Sequence, residues 1–237
     1  MSTVVIVMSK IPLPGRTKSR LQKKAGAQEA ALFHRACLYD MQAALRACEM
    51  PARIYIGGSS EEFCSSFPHA LPEEFSCLER LDWSDFPLFQ QKGGDLGERM
   101  LCAVQESLAE FQQVILIGSD IPGIDQNLLE QASAGLRQHD LVLGPAMDGG
   151  YYLIGLKSVP PFLFREIEWG SGQVLEQTLQ AARRHQLQTM LLPELQDIDH
   201  WQDLMEWEGR AEGSRVKQTL AWCYASYLLK RADRRRI

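Results

Sequence analysis

The chain has 237 residues, of which 45% are hydrophobic and 23% charged, and its formal net charge at pH 7 is −5. This composition is typical of one large α/β domain with a full core, and it argues against a disordered chain. The negative charge argues against a protein that coats nucleic acid or an anionic membrane, so any anion site must be local.

Predicted strands and helices alternate from the start of the chain. Thr3 to Met8 is a short apolar run rich in β-branched residues, which predicts a strand buried on both faces. Helical spacing of apolar residues predicts a long helix from Ala25 to Cys48. Further strands are predicted at 53–56, 114–117, 141–143, 151–156 and 189–192, with helices at 96–111, 125–138 and 173–185. The alternation predicts an α/β fold, an open, mostly parallel sheet with helices on both faces.

The C-terminal part is predicted to lie outside the sheet. We expect a single α/β domain over residues 1–204 and a helical extension over residues 205–237 packed on it. Glu206 to Ile237 has the pattern of an amphipathic helix with a basic end, which favours a solvated helix terminus. Its apolar face is compatible with a homodimer contact or with a cover for the sheet. Glu61 to Phe89 has no pattern that can be assigned.

The six cysteines are scattered and form no Cys-x-x-Cys pair, which predicts buried free thiols and a cytoplasmic protein. The first residues carry no secretory signal pattern. No apolar stretch approaches the roughly 20 residues that span a bilayer.

A basic loop follows the first predicted strand. Residues 1–28 contain no Asp or Glu, and their cationic side chains are Lys10, Arg16, Lys18, Arg20, Lys23 and Lys24. Ligands bind at the carboxyl ends of strands in open α/β sheets, and backbone N–H groups with Arg and Lys can surround a phosphate there. On charge alone, a solvated basic loop is equally compatible, and no Walker A pattern is present.

Ser9 to Leu21 (SKIPLPGRTKSRL) resembles the opening motif of a bacterial family of nucleotide-diphospho-sugar transferase-like proteins. These are glycosyltransferases of the GT-A fold, more distantly similar to the guanylyltransferases of coenzyme F420 synthesis. Further matches follow in order at residues 91–100 (QKGGDLGERM), 117–122 (IGSDIP), 143–155 (LGPAMDGGYYLIG) and 197–199 (DID). The resemblance covers roughly residues 1–204, with Ser9 and Ser19 in place of Ala and Thr. It implies that nucleotide or phosphate is bound by Lys10, Pro14, Gly15, Arg16, Lys18, Arg20, Gln91, Gly94 and Arg99.

Asp120 follows a buried predicted strand, at the edge where such sheets bind ligands. Taken alone, it is more typical of a helix cap, but the resemblance implies a catalytic residue that binds Mg²⁺ or Mn²⁺ at substrate phosphates. No Asp-x-Asp occurs at this strand end. Asp197 or Asp199 could supply the second metal-binding carboxylate, because residues i and i+2 of an extended segment face the same side. Alternatively, Asp199 caps a helix and Asp197 closes a turn.

The segment from Asp148 to Tyr151 is the third candidate group. Asp148 could orient a sugar hydroxyl or act as a catalytic base on an acceptor, although an Asp-Gly hairpin turn is a strong alternative. The resemblance implies substrate binding by Gly149, Gly150 and Tyr151. Ser171 resembles a Ser/Thr of the family that also binds substrate, or it is only a helix N-cap. The five histidines are dispersed and form no motif.

The resemblance implies a metal-dependent transferase that moves a glycosyl group from a nucleotide-diphospho-sugar to an unknown acceptor. A nucleotidyltransferase that joins an NTP to a small phosphorylated acceptor, with pyrophosphate release, would use the same crevice. A non-catalytic nucleotide-binding protein also stays open. The expected partners are a nucleotide or nucleotide-sugar and a small-molecule acceptor, with no nucleic acid and no membrane span.

Overall fold

The computed structural model describes residues 2–67, 71–210 and 215–234. The described strands are β1 (Thr3–Ser9), β2 (Ala52–Ile56), β3 (Leu88–Gln90), β4 (Gln113–Gly118), β5 (Leu141–Pro145), β6 (Tyr151–Leu156) and β7 (Thr189–Leu191). They form one sheet in the order β3-β2-β1-β4-β6-β5-β7. Neighbouring strands pair in parallel, except that β6 runs antiparallel to both β4 and β5. The predicted open, mostly parallel sheet is therefore confirmed.

Helices cover both faces of this sheet. The described α-helices are α1 (Gln22–Ala25), α2 (Ala27–Ala47), α3 (Ser60–Phe63), α4 (Leu96–Leu108), α5 (Gln126–Gly135), α6 (Phe162–Arg165), α7 (Val174–Arg184), α8 (Trp201–Arg210) and α9 (Leu220–Arg234). All seven residues of β1 are buried, and their side chains alternate between two cores. Val5 and Val7 belong to the core that includes α2, and Val4 and Ile6 to the core that includes α4. This explains why β1 shows no polar alternation in the sequence.

Two of the predicted helices are divided in the structure. The helix expected from Ala25 to Cys48 is interrupted at Gly26, whose φ of 98° is incompatible with a continuous helix. The helix expected from Glu206 to Ile237 is two helices, α8 and α9, with a 3₁₀ turn at Arg215–Gln218. Arg235 and Arg236 of its predicted basic end lie outside the described residues.

The last helix is anchored on α2 by polar groups. The Asp40 carboxylate accepts hydrogen bonds from the N–H groups of Leu220 and Ala221, both at 2.8 Å, and so caps α9. Burial raises the pKa of Asp40 to about 6, although these two N–H groups act in the opposite direction. Tyr224 and Leu228 are buried, so these two residues cover the core and are not free for a dimer contact. The division at residue 204 and a homodimer stay predictions.

Of the six cysteines, two are buried as predicted, Cys64 and Cys102 are partly buried, and two are exposed, which makes the prediction wrong for the last two. Cys37 and Cys48 are buried, whereas Cys77 and Cys223 are exposed because they lie on the outer sides of short or terminal helical segments. Helical spacing alone does not tell which side of such a segment meets the core. Within the described residues, no helix is long and apolar enough to cross a membrane. The cytoplasmic location stays a prediction.

Candidate functional site

A cavity of about 550 Å³ lies at the carboxyl ends of β1 and β4. Its other boundaries are the β5–β6 turn, the segment before α7 and the segment around residue 198. Two sets of charged side chains line it. The cationic wall consists of Lys10, Lys18 and Arg20, and the carboxylate wall of Asp148, Asp197 and Asp199, with Asp120 at the strand end. The parallel sheet brings these distant segments to one edge, as expected for a ligand crevice.

Lys18 connects the basic loop to both sides of the cavity. Its ammonium donates hydrogen bonds to the carbonyl oxygens of Asp120 at 2.7 Å and Ile198 at 2.8 Å. Its side chain is fully buried and its φ is +46°, an uncommon value for a residue with a Cβ. Because these contacts hold the ammonium on two carbonyls, Lys18 fixes the loop and contributes a stationary positive charge at the cavity.

Asp120 is ionised in this setting. Burial acts to raise its pKa, but Lys18, His34 and Lys10 outweigh that effect and leave the pKa at about 2. Lys18 Nζ lies 3.7 Å from Oδ1, and Lys10 Nζ lies 3.8 Å from Oδ2. Oδ1 is inaccessible to solvent and accepts no hydrogen bond. The carboxylate therefore keeps an unused acceptor on its inner side, while the side chain as a whole is 31% exposed and lines the cavity.

His34 lies directly behind this carboxylate. It is fully buried on α2, with Nδ1 2.9 Å from Thr17 Oγ1 and Nε2 2.9 Å from Ser119 Oγ. Burial lowers the pKa of His34 to about 4, assisted by Lys18 and Lys10 and opposed by Asp120, so the imidazole is neutral at pH 7. The sequence reasoning missed this residue because a lone histidine in a helical pattern gives no signal of what its two nitrogens reach.

Cationic side chains neutralise the carboxylate wall only in part. The pKa of Asp197 is raised to about 6: burial is the largest cause, Asp148, Asp199 and Asp203 add to it, and Lys18 acts in the opposite direction. Arg20 compensates Asp199, with Nη1 3.0 Å from Oδ2. The Asp203 carboxylate, in the first turn of α8, accepts from the N–H groups of residues 199 and 200, and among the described residues no N–H of α8 donates to Asp199, so the predicted helix cap by Asp199 is wrong.

The β5–β6 turn contains Asp148 and depends on the glycine that follows it. Asp148 Oδ1 accepts a hydrogen bond from the Gly150 N–H at 2.8 Å, which fits the Asp-Gly hairpin alternative. Gly149 has a φ of +86°, and a Cβ there would collide with the Gly172 carbonyl oxygen. The turn thus packs against the segment before α7 and still presents the Asp148 carboxylate to the cavity.

Aromatic residues form the remaining side of the cavity. Tyr151 and Trp169 contact edge to face, with ring centroids 6.3 Å apart. The Trp169 indole N–H donates to the Phe164 carbonyl oxygen, which fixes the ring. Ser171 lines the cavity and donates to the Glu168 carbonyl oxygen, while the N-cap of α7 is Gln173, so the N-cap alternative for Ser171 is wrong.

Several residues predicted from the motifs do not line the cavity. Arg16 forms an ion pair with Glu62 at 3.0 Å, and Gln91 donates to the carbonyl oxygens of Ser9 and Tyr55. Arg99 donates to the carbonyl oxygens of residues 93 and 94, so the glycine-rich loop is held by its own helix. The cavity lining likewise excludes Pro14, Gly15, Gly94 and Gly149. Their predicted roles in nucleotide or substrate binding stay predictions.

A divalent cation fits this cavity if part of its coordination comes from substrate. Within residues 2–67, 71–210 and 215–234, no three His, Cys, Asp or Glu side chains form a complete metal centre. Carboxylate oxygens are nevertheless available, because the Asp120 side chain is partly exposed at the cavity and Asp197 is surrounded by other acids. Mg²⁺ is usually bound by one or two carboxylates together with substrate phosphates. The donor set suits a cation that arrives with a diphosphate.

Comparison with known proteins gives the family. A family model described as an uncharacterized protein conserved in bacteria (DUF2064) matches residues 67–171. The crystal structure of a candidate nucleotide-diphospho-sugar transferase from Desulfovibrio desulfuricans G20 is 31% identical, with a TM-score of 0.82. That match covers 98% of this chain and 96% of the other. This chain belongs to the nucleotide-diphospho-sugar transferase-like family. It is an enzyme of the transferase class, as its ordered motifs imply.

Two more distant structures share the fold alone. CMP:2-keto-3-deoxy-manno-octonic acid synthetase in complex with CTP is 9% identical over 90% of this chain and 99% of its own, with a TM-score of 0.53. Rv0371C of Mycobacterium tuberculosis H37Rv in complex with manganese is 8% identical over 87% and 97%, also with a TM-score of 0.53. A search of the curated proteins finds no match.

Proposed function

We propose that this transferase moves a glycosyl group from a nucleotide-diphospho-sugar to a small-molecule acceptor, with Mg²⁺ or Mn²⁺ as cofactor. The observation that carries the proposal is the cavity lined by both the cationic wall and the carboxylate wall, with Lys10 and Lys18 beside Asp120. A diphosphate leaving group needs fixed positive charge where its own charge develops. An acceptor hydroxyl needs an oxygen that takes its proton.

The chain's own residues divide these tasks by position. Lys10 and Arg20 bind phosphate oxygens, because their side chains are mostly exposed and can turn toward a ligand. Lys18 stays on its two carbonyls and stabilises negative charge from a distance. Asp148 holds the acceptor hydroxyl and takes its proton, because its Oδ2 is not engaged in the turn.

The cation is assigned to Asp120 together with Asp197 or Asp199. When bound, it would neutralise the diphosphate as a Lewis acid. Support comes from the donor set of this cavity, from the raised pKa of Asp197, and from the manganese complex of the fold neighbour Rv0371C. Asp199 takes part only if Arg20 moves from its present ion pair to the phosphates.

Nucleotide titration tests the proposal. Binding of UDP, GDP, CDP and their sugars is measured by calorimetry with and without Mn²⁺, for the wild type, Asp120→Asn and Asp85→Asn. Asp85 is an exposed acid paired with Arg46, remote from the cavity, and is the matched control. We expect binding that requires Mn²⁺, is lost in Asp120→Asn and is unchanged in Asp85→Asn. No binding of any of these ligands by the wild type would refute the proposal.

Nucleotidyl transfer is the second candidate, because a synthetase with CTP bound shares the fold. The two reactions release different products. Glycosyl transfer releases a nucleoside diphosphate, whereas nucleotidyl transfer consumes an NTP and releases pyrophosphate. Incubation with NTPs and phosphorylated sugars, followed by pyrophosphate detection, distinguishes them. Equal metal-dependent binding in Asp120→Ala would instead indicate a non-catalytic nucleotide-binding protein.

A further inference from the structure

A buried hydrogen-bond chain connects the basic loop to the end of β4. Its members are Thr17, His34, Ser119 and Ser9, which come from four separate places in the sequence. The three successive contacts are 2.9, 2.9 and 3.0 Å long. All four residues are buried, so water does not compete for their hydrogen bonds.

The direction of every bond in this chain follows from its last member. Ser9 Oγ donates its proton to the Lys10 carbonyl oxygen at 2.9 Å, so it must accept from Ser119. Ser119 then accepts from Nε2–H of His34. A neutral imidazole has one donor and one acceptor nitrogen, so Nδ1 accepts from the Thr17 hydroxyl. Each hydroxyl proton is therefore used, and His34 is the one member that reaches both the loop and the strand end.

We propose that His34 is a positioning residue, which fixes the Thr17–Lys18 part of the basic loop against the strand end that carries Asp120. This rests on the proposed function only for its effect on ligand binding. Thr17 precedes Lys18, whose ammonium must reach the carbonyls of Asp120 and Ile198. Ser119 precedes Asp120. By holding both neighbours, the imidazole sets the distance between the stationary ammonium and the carboxylate, without itself contacting substrate.

No neutral side chain of similar size replaces both contacts of an imidazole. His34→Leu removes both. In His34→Asn the side-chain amide takes the position of the imidazole Nδ1 and keeps the Thr17 contact. In His34→Gln the amide takes the position of Nε2 and keeps the Ser119 contact. Phe33→Leu is the matched control, because Phe33 is the adjacent α2 residue, is equally buried and packs on Trp207.

The first experiment measures hydrogen–deuterium exchange of residues 10–21 without ligand. Loss of the two hydrogen bonds in His34→Leu should accelerate exchange there by roughly tenfold, with a smaller change in His34→Asn and none in Phe33→Leu. Unchanged exchange in His34→Leu would overturn the proposal whatever the enzyme's ligand is. This separates it from the proposed function, which fails if the wild type binds no nucleotide.

The second experiment measures the affinity for UDP, GDP and CDP with Mn²⁺. We expect about tenfold weaker binding for His34→Leu, and partial rescue in His34→Asn and His34→Gln. Thr17→Val should weaken binding alone but add nothing to His34→Leu, because coupled residues are not additive. If His34→Leu does not fold, Thr17→Val and Ser119→Ala remove the same bonds from the partners. Wild-type affinity in both of those variants, or strict additivity in the cycle, would overturn the proposal.

Discussion

Lys18→Met should destabilise the protein by an amount that depends on pH. Methionine keeps the length of the buried side chain but removes an ammonium that donates to the Asp120 and Ile198 carbonyls. Hydrogen bonds of a charged donor contribute about 1.5–3 kcal/mol each, and breaking a buried charged pair costs about 3–5 kcal/mol. At pH 7 we therefore expect the free energy of unfolding to fall by about 3–5 kcal/mol.

The pH dependence gives the prediction its specificity. In the folded wild type the pKa of Asp120 is about 2, below its ordinary value of 3.8. A carboxyl with a depressed pKa contributes stability that is present above about pH 4 and is lost as the pH falls toward 2. Lys18 is one cause of that depression, so the variant loses this contribution. Its deficit against the wild type should be larger at pH 7 than at pH 3.

Urea unfolding at these two pH values measures the deficit. Lys10→Met is the control, because Lys10 is 66% exposed and lies 3.8 Å from the same carboxylate. An exposed ion pair of that kind contributes at most about 1 kcal/mol. The reasoning is refuted if Lys18→Met lies within about 1 kcal/mol of the wild type at pH 7, or if its deficit is the same at both pH values.

Three further predictions, the last with its own control variant, concern other parts of the structure. The Asp40 carboxyl, with its pKa raised to about 6, contributes stability that is fully present below pH 4 and is lost as the pH rises past 6. Asp40→Asn has no such group, so in urea unfolding its stability relative to the wild type should increase from pH 4 to pH 7. Arg35→Met should lower the unfolding free energy by about 2–4 kcal/mol, since it leaves the buried Leu78 carbonyl without its donor and removes one of the two donors to the Glu79 carbonyl. Gly149→Ala should weaken nucleotide-sugar binding in calorimetry, because its Cβ would collide with the Gly172 carbonyl. Gly170→Ala, at a similar φ with open space around it, should fold with only backbone strain. If Gly149→Ala and Gly170→Ala changed the affinity for nucleotide-sugar equally, the close packing of the β5–β6 turn would not be the cause.

The order of strands and helices was predictable from the sequence because the spacing of apolar residues that distinguishes a helix from a strand is a local property of the chain. Tyr151–Leu156 has its predicted bounds. Its antiparallel direction was not predicted, although the Asp-Gly turn before it pointed to a hairpin. The convergence of Asp120, Asp148 and the acids near residue 198 followed from the ordered motifs and from the rule that parallel strands present their carboxyl ends at one edge.

Long-range pairing was what the sequence could not show. Lys18 and Arg16 are two residues apart and have the same charge, yet Lys18 is buried on two carbonyls while Arg16 pairs with Glu62 on the surface. The difference arises because Lys18 adopts a positive φ that turns its side chain inward, a property that no local pattern encodes. His34 was missed because both of its hydrogen-bond partners lie outside its own helix and far away in the sequence.

The contrast between Lys10 and Lys18 bears on how the site changes when ligand arrives. Both ammonium groups lie just under 4 Å from Asp120, so each competes with a divalent cation for that carboxylate. Lys18 has two carbonyl acceptors and no route to solvent, whereas Lys10 has a mostly exposed side chain. Under the proposed function, an incoming diphosphate would therefore draw Lys10 away from Asp120 and leave room there for the cation. The stationary lysine would keep Asp120 ionised throughout, so that the cation meets a carboxylate already without its proton.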